Sequence, residues 1–391
     1  MIKLEQLIEE LCPDGVVYYP LGEICKLVTG ATPSKTKTEY WDNGTIPWMS
    51  SGEVNNKIIF ETENKITQLG YDSASTTVVP IHSVVIALAG QGKTRGKVAI
   101  TEIELCTNQS LCSIVCGNLI NYKFLYYYLD SKYLELRSIS NGDGSRGGLS
   151  LKILSPYQIP VPPLPVQSEI VRILDNFTEL TTALTTALTA ELIARKQQYE
   201  YYCNYLLTFS DNVSTVKLGD IATIKTGSKP AEILETATEF EYINAGTSNS
   251  GYVECTNCDG DTVTTPSRGQ GGIGFVGYQK NAFWLGPLCY RIKSKDTTTV
   301  TNLYLYHYLK HFNEKILACK KEGGTPAVNA SDLVNTTVEI PSFQEQERIV
   351  AILNRFDALC NDITEGLPTE IEARQKQYEY YRDKLLTFKE A

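Results

Sequence analysis

At 391 residues the chain is long enough for two to four domains of roughly 100–200 residues each. Charged residues make up 21% and hydrophobic residues 42%, which excludes a disordered chain. No run of eighteen apolar residues occurs and the start lacks a basic-then-apolar leader, so neither a membrane nor secretion is expected and a cytoplasmic location is. Eleven cysteines, an odd number at irregular spacing, fit reduced thiols better than a disulfide framework. The net charge of −9 argues against nucleic acid as a partner, until it is counted by segment.

Residues 1–19 form an acidic N-terminal segment of net −3. Residues 20–158 form a block of net +1, in which Pro80–Leu88 and Lys97–Ile100 read as strands and Asn121–Leu129 as a helix. Its window 73–101 holds Lys93, Arg95 and Lys97 without an acid. Residues 159–212, net −3, read as a helix: apolar residues from Ile170 to Leu206 recur mostly every three or four positions. No Gly or Pro falls between Gln167 and Phe209, so one helix of about 60 Å is expected. Residues 213–338 form a second block of net zero, with strands expected at Ile273–Val276 and Leu288–Ile292 and a helix at Asn302–Leu309. Its window 262–295 holds Arg268, Lys280, Arg291, Lys293 and Lys295, again without an acid. Residues 339–391, net −4, read as a second helical segment that Gly366 and Pro368 should break or kink. The acidic excess therefore lies outside two near-neutral blocks, each of which can still present a phosphate-binding face.

The chain repeats itself. Without gaps, 162–209 matches 341–388 at 22 of 48 positions, most clearly in Gln198-Tyr-Glu-Tyr-Tyr202 and Gln377-Tyr-Glu-Tyr-Tyr381. The block heads match too, Leu21-Gly-Glu-Ile24 … Thr29-Gly30 … Pro33 with Leu218-Gly-Asp-Ile221 … Thr226-Gly227 … Pro230. Two copies of a block-plus-helix unit with similar ends and divergent middles imply one scaffold carrying two different binding surfaces. The two apolar stripes are expected to bury each other as an antiparallel, coiled-coil-like pair. Within the first, TTAL-TTAL-TAEL over 181–192 sets a leucine at every fourth place.

Catalytic patterns are poor. Ala87-Leu-Ala-Gly-Gln-Gly-Lys93-Thr94 resembles a phosphate loop, but the strand-like Lys97-Val-Ala-Ile follows where a helix must begin. Gly272-Ile-Gly274-Phe-Val-Gly277 matches a dinucleotide fingerprint without a helix-forming sequel. Cys255-x-x-Cys258 and His307-x-x-x-His311 are too far apart for a zinc finger, and no metal is expected. The residues describe a binder without a catalytic centre.

The tail Pro341-Ser-Phe-Gln-Glu-Gln346-Glu-Arg-Ile-Val … Ala373-Arg374 … Leu385-Leu-Thr-Phe388, and the head Leu21-Gly-Glu-Ile … Gly30-Ala-Thr-Pro33 … Ile46-Pro-Trp48, closely resemble type I restriction-modification specificity (S) subunits. The resemblance implies an α+β fold: two mixed α/β target-recognition domains, separated and joined by long antiparallel helices in a pseudo-two-fold internal repeat. On that division 20–158 and 213–338 are the recognition domains, and 159–212 and 339–391 the central and C-terminal spacers. It also implies a non-catalytic subunit that reads a bipartite double-stranded DNA target and docks two methyltransferase (M) subunits, with restriction (R) subunits completing the assembly. S-adenosylmethionine, ATP and Mg would then sit on those partners, and no cofactor on this chain. The alternative is a tandem-repeat scaffold for protein or sugar, against which the acid-free basic windows speak.

No single contact residue transfers from the resemblance, because recognition domains diverge, so candidates follow from chemistry. Base edges are read by Arg, Lys, Gln, Asn or Ser on loops, and phosphates by cations and amides. In the first block these are Lys35, Lys37, Gln91, Lys93, Thr94, Arg95, Lys97, Ser145 and Arg146. In the second they are Lys229, Ser267, Arg268, Gln270, Lys280, Lys320, Lys321 and Thr325.

Overall fold

The computed structural model describes residues 2–90, 94–140, 148–210, 213–269, 271–321, 323–361 and 366–391. The chain divides into two units, Met1–Thr186 with Glu372–Ala391, and Ala187–Ile371. The division falls inside one uninterrupted helix, Leu164–Leu207, whose 44 residues span about 66 Å. Pro165 stands in its first turn, where a missing N–H breaks no helical bond. The C-terminal segment instead forms two helices, Phe343–Asn361 and Leu367–Leu385, separated around Gly366 as the Gly/Pro pair demands.

Each block is built on the same sheet. In the first, strands Cys25–Thr29, Leu111–Cys116, Val84–Ala87 and Val98–Thr101 lie side by side, antiparallel, with Ile58–Ile59 added at the edge. In the second, Ala222–Thr226, Cys289–Ser294, Thr262–Pro266 and Gly277–Gln279 follow the same order. A smaller three-stranded sheet accompanies each, Asn64–Ile66, Ile46–Met49 and Cys106–Thr107 in one, Tyr252–Val253, Phe240–Ile243 and Trp284–Leu285 in the other. The repeated Thr-Gly pairs are explained by this packing. A Cβ on Gly30 would sit 1.7 Å from the Thr107 carbonyl oxygen, and one on Gly227 would sit 1.8 Å from that of Leu285. Only glycine lets these strands approach.

One expected strand contracts to Val84–Ala87, a second slides by one residue to Val98–Thr101, and a third becomes Cys289–Ser294. Ile273–Val276 is not a strand. Gly274 takes φ +91° within a turn, and pairing begins only at Gly277.

The helices Tyr122–Ser131 and Asn302–His311 occupy equivalent places. Asn121 caps the first by accepting the Lys123 and Phe124 amides, and Thr301 caps the second by accepting that of Tyr304. Phe124, Leu125 and Leu129 pack between the sheet residues Val84 and Ile114 and the spacer residues Ile170 and Leu174. Tyr304, Leu305 and Tyr308 do the same against Val263, Ile292, Leu206 and Ile349. Full burial of each such side chain contributes about 1.5–3 kcal/mol, so each block and its helices share one core.

In the first unit the spacer helices run antiparallel, Phe177 against Tyr381 with ring centroids 6.1 Å apart and Thr178 bonded to Tyr378. The N-terminal segment joins them. Its helix Ile2–Leu11 and strand Tyr18–Pro20 belong to that core, and the Val16 amide donates to the Lys389 carbonyl at 2.8 Å. The leucine tract departs from expectation. Leu180 and Leu184 are 67% and 42% exposed, and no leucine of 180–192 joins either core. The stripe is buried at its ends and open in its middle.

Candidate nucleic-acid interface

Each block is fixed to its spacer by one buried glutamine. Gln167 Nε2 donates to the Leu119 and Pro162 carbonyls at 2.9 and 2.7 Å, while its Oε1 accepts the Asn121 amide at 2.7 Å. Gln346 repeats this with Thr299, Pro341 and the Thr301 amide at 2.9, 3.1 and 3.1 Å. Both are fully buried, and both bind the residues that start the block's helix. The loops across each block are therefore displayed from a rigid mount.

In the second block the structure brings five candidates together. Strands Lys320–Lys321 and Ala327–Val328 form a short hairpin whose tip carries Gly323, Gly324 and Thr325. Arg268 bridges Ala327, the Gly269 amide donates to Pro326, and the Val328 amide donates to Ser267. Arg268, Lys321 and Thr325 are exposed, Lys320 is half-buried, and Lys321 pairs with Asp332 at 3.0 Å. Nothing lies within 4 Å of a Cβ built on Gly269, Gly271, Gly323 or Gly324. These glycines serve no internal packing, and they leave uncrowded backbone beside an arginine, as close approach to a sugar-phosphate chain requires. Ser267 is buried, its amide on Leu288, where the sequence reading has it on an open loop. Lys229 and Lys280 are exposed but outside this hairpin, and Gln270 lies outside the described residues.

In the first block, Thr94–Lys97 form a turn joining strands Val84–Ala87 and Val98–Thr101, closed by the Gly96 amide on Ala87 and the Lys97 amide on Thr94. The described part of the phosphate-loop resemblance, Ala87–Gly90 and Thr94, lies between two strands, with no helix among the described residues to aim amides at a nucleotide. Lys97 Nζ donates to Asn55 Oδ1 at 2.7 Å, and both line a cleft of about 430 Å³ with Lys57, Tyr133 and Arg382. Thr94 is half-buried with its hydroxyl toward the Ala89 carbonyl. Arg95 is buried, not displayed, and its Nε meets no hydrogen-bonding partner among the described residues. Lys35 and Lys37 are exposed on a separate loop, where Lys37 donates to the Tyr40 hydroxyl, which raises the lysine pKa. Gln91, Lys93, Ser145 and Arg146 lie outside the described residues.

Some of the basic windows are spent on the fold. Lys293 donates to the Gly260 carbonyl, Lys295 to that of Gly219, and Arg291 to Cys258 Sγ. The sequence reading also missed a polar loop. Asn244, Thr247, Ser248 and Asn249 line a cleft of about 270 Å³ with Gln279 and Lys310, around Gly246 in open space at φ +93°. Its signal is compositional, a Ser/Asn/Gly cluster directly after a strand. Among the described residues no three His, Cys, Asp or Glu side chains gather as a metal site. His307 is instead buried against Asn354, and burial lowers its pKa to about 4.

A doubled α/β scaffold on shared helices, with divergent cationic loops, defines a two-headed nucleic-acid reader. The family model for the type I restriction modification DNA specificity domain matches residues 13–194 and 210–373, and the chain belongs to that family. It is a type I specificity subunit with two target-recognition domains. It is 31% identical to the Escherichia coli type I restriction enzyme EcoR124I/EcoR124II specificity subunit, over 99% of this chain and 97% of that one. The Haemophilus influenzae putative type I specificity subunit S.HindORF215P is also 31% identical, over 98% of each. Among solved structures, a chain described under complex assembly and conformational transition of the type I R-M system matches at TM-score 0.66 and 15% identity, covering 96% and 98%. The M. genitalium S subunit matches at TM-score 0.58 and 18% identity, covering 95% and 96%. Both share the fold. No described helix is long and apolar enough to cross a membrane.

Proposed function

We propose that the second domain reads its half-site through Arg268 and the 320–328 hairpin, and the first through the 94–97 turn and the Lys35–Lys37 loop. The Arg268 hairpin carries this reading, because it alone among the described candidates joins an exposed arginine to glycines without a packing role. Two methyltransferase subunits dock on the paired spacer helices, and restriction subunits join that assembly, in the cytoplasm. The chain performs no chemistry: the methyl donor, ATP and Mg belong to those partners. With few free cations per domain, the isolated chain binds weakly and tight binding needs the methyltransferase.

The test is Arg268→Ala in the chain–methyltransferase complex, titrated against cognate and single-base-changed duplexes. A guanine-reading arginine gives a loss of about 1–3 kcal/mol at one base pair. A phosphate-holding one weakens all duplexes alike and lowers the salt slope by about one. Unchanged affinity on every duplex would overturn the assignment.

A further inference from the structure

The two domain–spacer contacts share their backbone pivots and differ in their charges. Through the Gln167 and Gln346 anchors, helix residue 121 corresponds to 301 and spacer residue 167 to 346. On that register Tyr127 matches His307 and Asp130 matches Lys310, while on the spacers Asp175 matches Asn354, Thr178 matches Asp357 and Arg382 matches Cys203. In the first unit Asp130 pairs with Arg382 at 2.7 Å, and Lys123 and Tyr127 both bond Asp175, at 2.7 and 2.8 Å. In the second, Lys310 pairs with Asp357 at 2.8 Å and His307 bonds Asn354 at 2.7 Å. Both domains offer a lysine to a spacer aspartate, Lys123 to Asp175 and Lys310 to Asp357, but at the shared 130/310 position the polarity is reversed: the first domain carries an acid that pairs with a spacer arginine, the second a lysine that pairs with a spacer aspartate.

These pairs are sheltered. Arg382 is 12% exposed and Lys310 and Asp357 are 34% and 29% exposed, so water screens them less than surface pairs. Burial opposes the charge on Lys310, yet Tyr306 and Asp357 outweigh it and hold the lysine pKa above its ordinary value. Asp383, beside Arg382, accepts from the Arg382 Nε at 2.9 Å.

We infer that Asp130–Arg382 and Lys310–Asp357 form an address code that assigns each recognition domain to its own slot. Moved to the other slot, Asp130 finds Cys203 where Arg382 stood and has Asp357 as its neighbouring charge, while Lys310 finds Thr178 where Asp357 stood and has Arg382 as its neighbouring charge. Each exchange removes the partner and leaves a like charge on the neighbouring spacer segment, and breaking a sheltered pair in this way is costly. The domains are thus not interchangeable within this chain, although each is a separate reading module.

The experiment is a square of four full-length chains. Residues 20–158 and 217–337 are left in order or exchanged, and each arrangement is made with or without the paired substitutions Asp130→Lys and Lys310→Asp. Thermal unfolding and assembly with the methyltransferase are read for all four. The native chain and the exchanged, substituted chain should melt within about 3 °C of each other and assemble. The native-order substituted chain and the exchanged unsubstituted chain should each melt at least about 5 °C lower. The sign inversion distinguishes an address from a merely structural ion pair, since the same two substitutions harm one order and rescue the other. An exchanged chain as stable as the native one overturns the proposal. So does an exchanged chain that the substitutions fail to rescue.

Discussion

Removing the buried amide of Gln346 should loosen the whole second block from its mount. Replacement by leucine keeps most of the volume and strips three hydrogen bonds, leaving the Thr299 and Pro341 carbonyls and the Thr301 amide without their partner. Each unsatisfied buried group costs about 1–3 kcal/mol, so the sum is about 3–5 kcal/mol after partial relaxation. In a unit of this size that lowers the melting temperature by about 10 °C. Gln167→Leu should do the same to the first unit, through Leu119, Pro162 and Asn121. Calorimetry of the intact chain should show each substitution moving the transition of its own unit. Gln346→Glu adds a signed test. A carboxylate would face the two carbonyl oxygens, so the folded state keeps the proton and raises the glutamate pKa above its unfolded value of about 4.3. Stability is then present at low pH and lost as pH rises through the folded pKa, so the variant should lose more at pH 8 than at pH 5.5. A Gln346→Leu chain melting within about 2 °C of the parent would refute the reasoning.

His307, buried and held neutral with its pKa lowered to about 4, should make the second unit acid-sensitive. Its contribution is complete above the unfolded value of about 6.5 and falls by up to about 3 kcal/mol as pH drops toward 4; His307→Gln should flatten urea midpoints over that window, and an unchanged slope would count against it. Inserting one TTAL after Leu188 lengthens helix Leu164–Leu207 by about 6 Å, which should widen the unspecified gap of the methylated motif by one or two base pairs with both half-sites kept. Methylation mapping that shows an unchanged gap at full activity removes the ruler role. Binding by the methyltransferase complex should weaken steeply between low and high salt, and the isolated chain should bind far less tightly at every salt; equal affinities with and without the partner would contradict the division of labour.

The parts legible in the sequence are those the chain needs for its own folding. The repeat announced two equivalent blocks, the Gly- and Pro-free run announced the continuous helix, and the Gly366–Pro368 pair announced its broken counterpart. What periodicity cannot report is a partner. The leucines here have the spacing of a buried seam, yet Leu180 and Leu184 are exposed and Leu188 and Leu192 only half-buried, because a stripe states which residues share a face and not what covers it. Ile273–Val276 failed for a local reason, since Gly274 takes a backbone angle that bends the run into a turn before pairing starts. The availability of the contact candidates turns on another property. Whether a cation is offered to DNA depends on what the fold has already bound to it, and that is settled by residues distant in sequence. Lys293 is drawn in by Gly260 and Lys295 by Gly219, and Arg95 is buried, while Arg268 stays exposed beside the Lys320–Val328 hairpin. Acid-free windows thus overstate the free charge. The open glycines around Arg268 are the better guide, because Gly269 and Gly271 hold positive φ angles in a turn that no neighbour crowds, which leaves room beside the arginine for a sugar-phosphate chain.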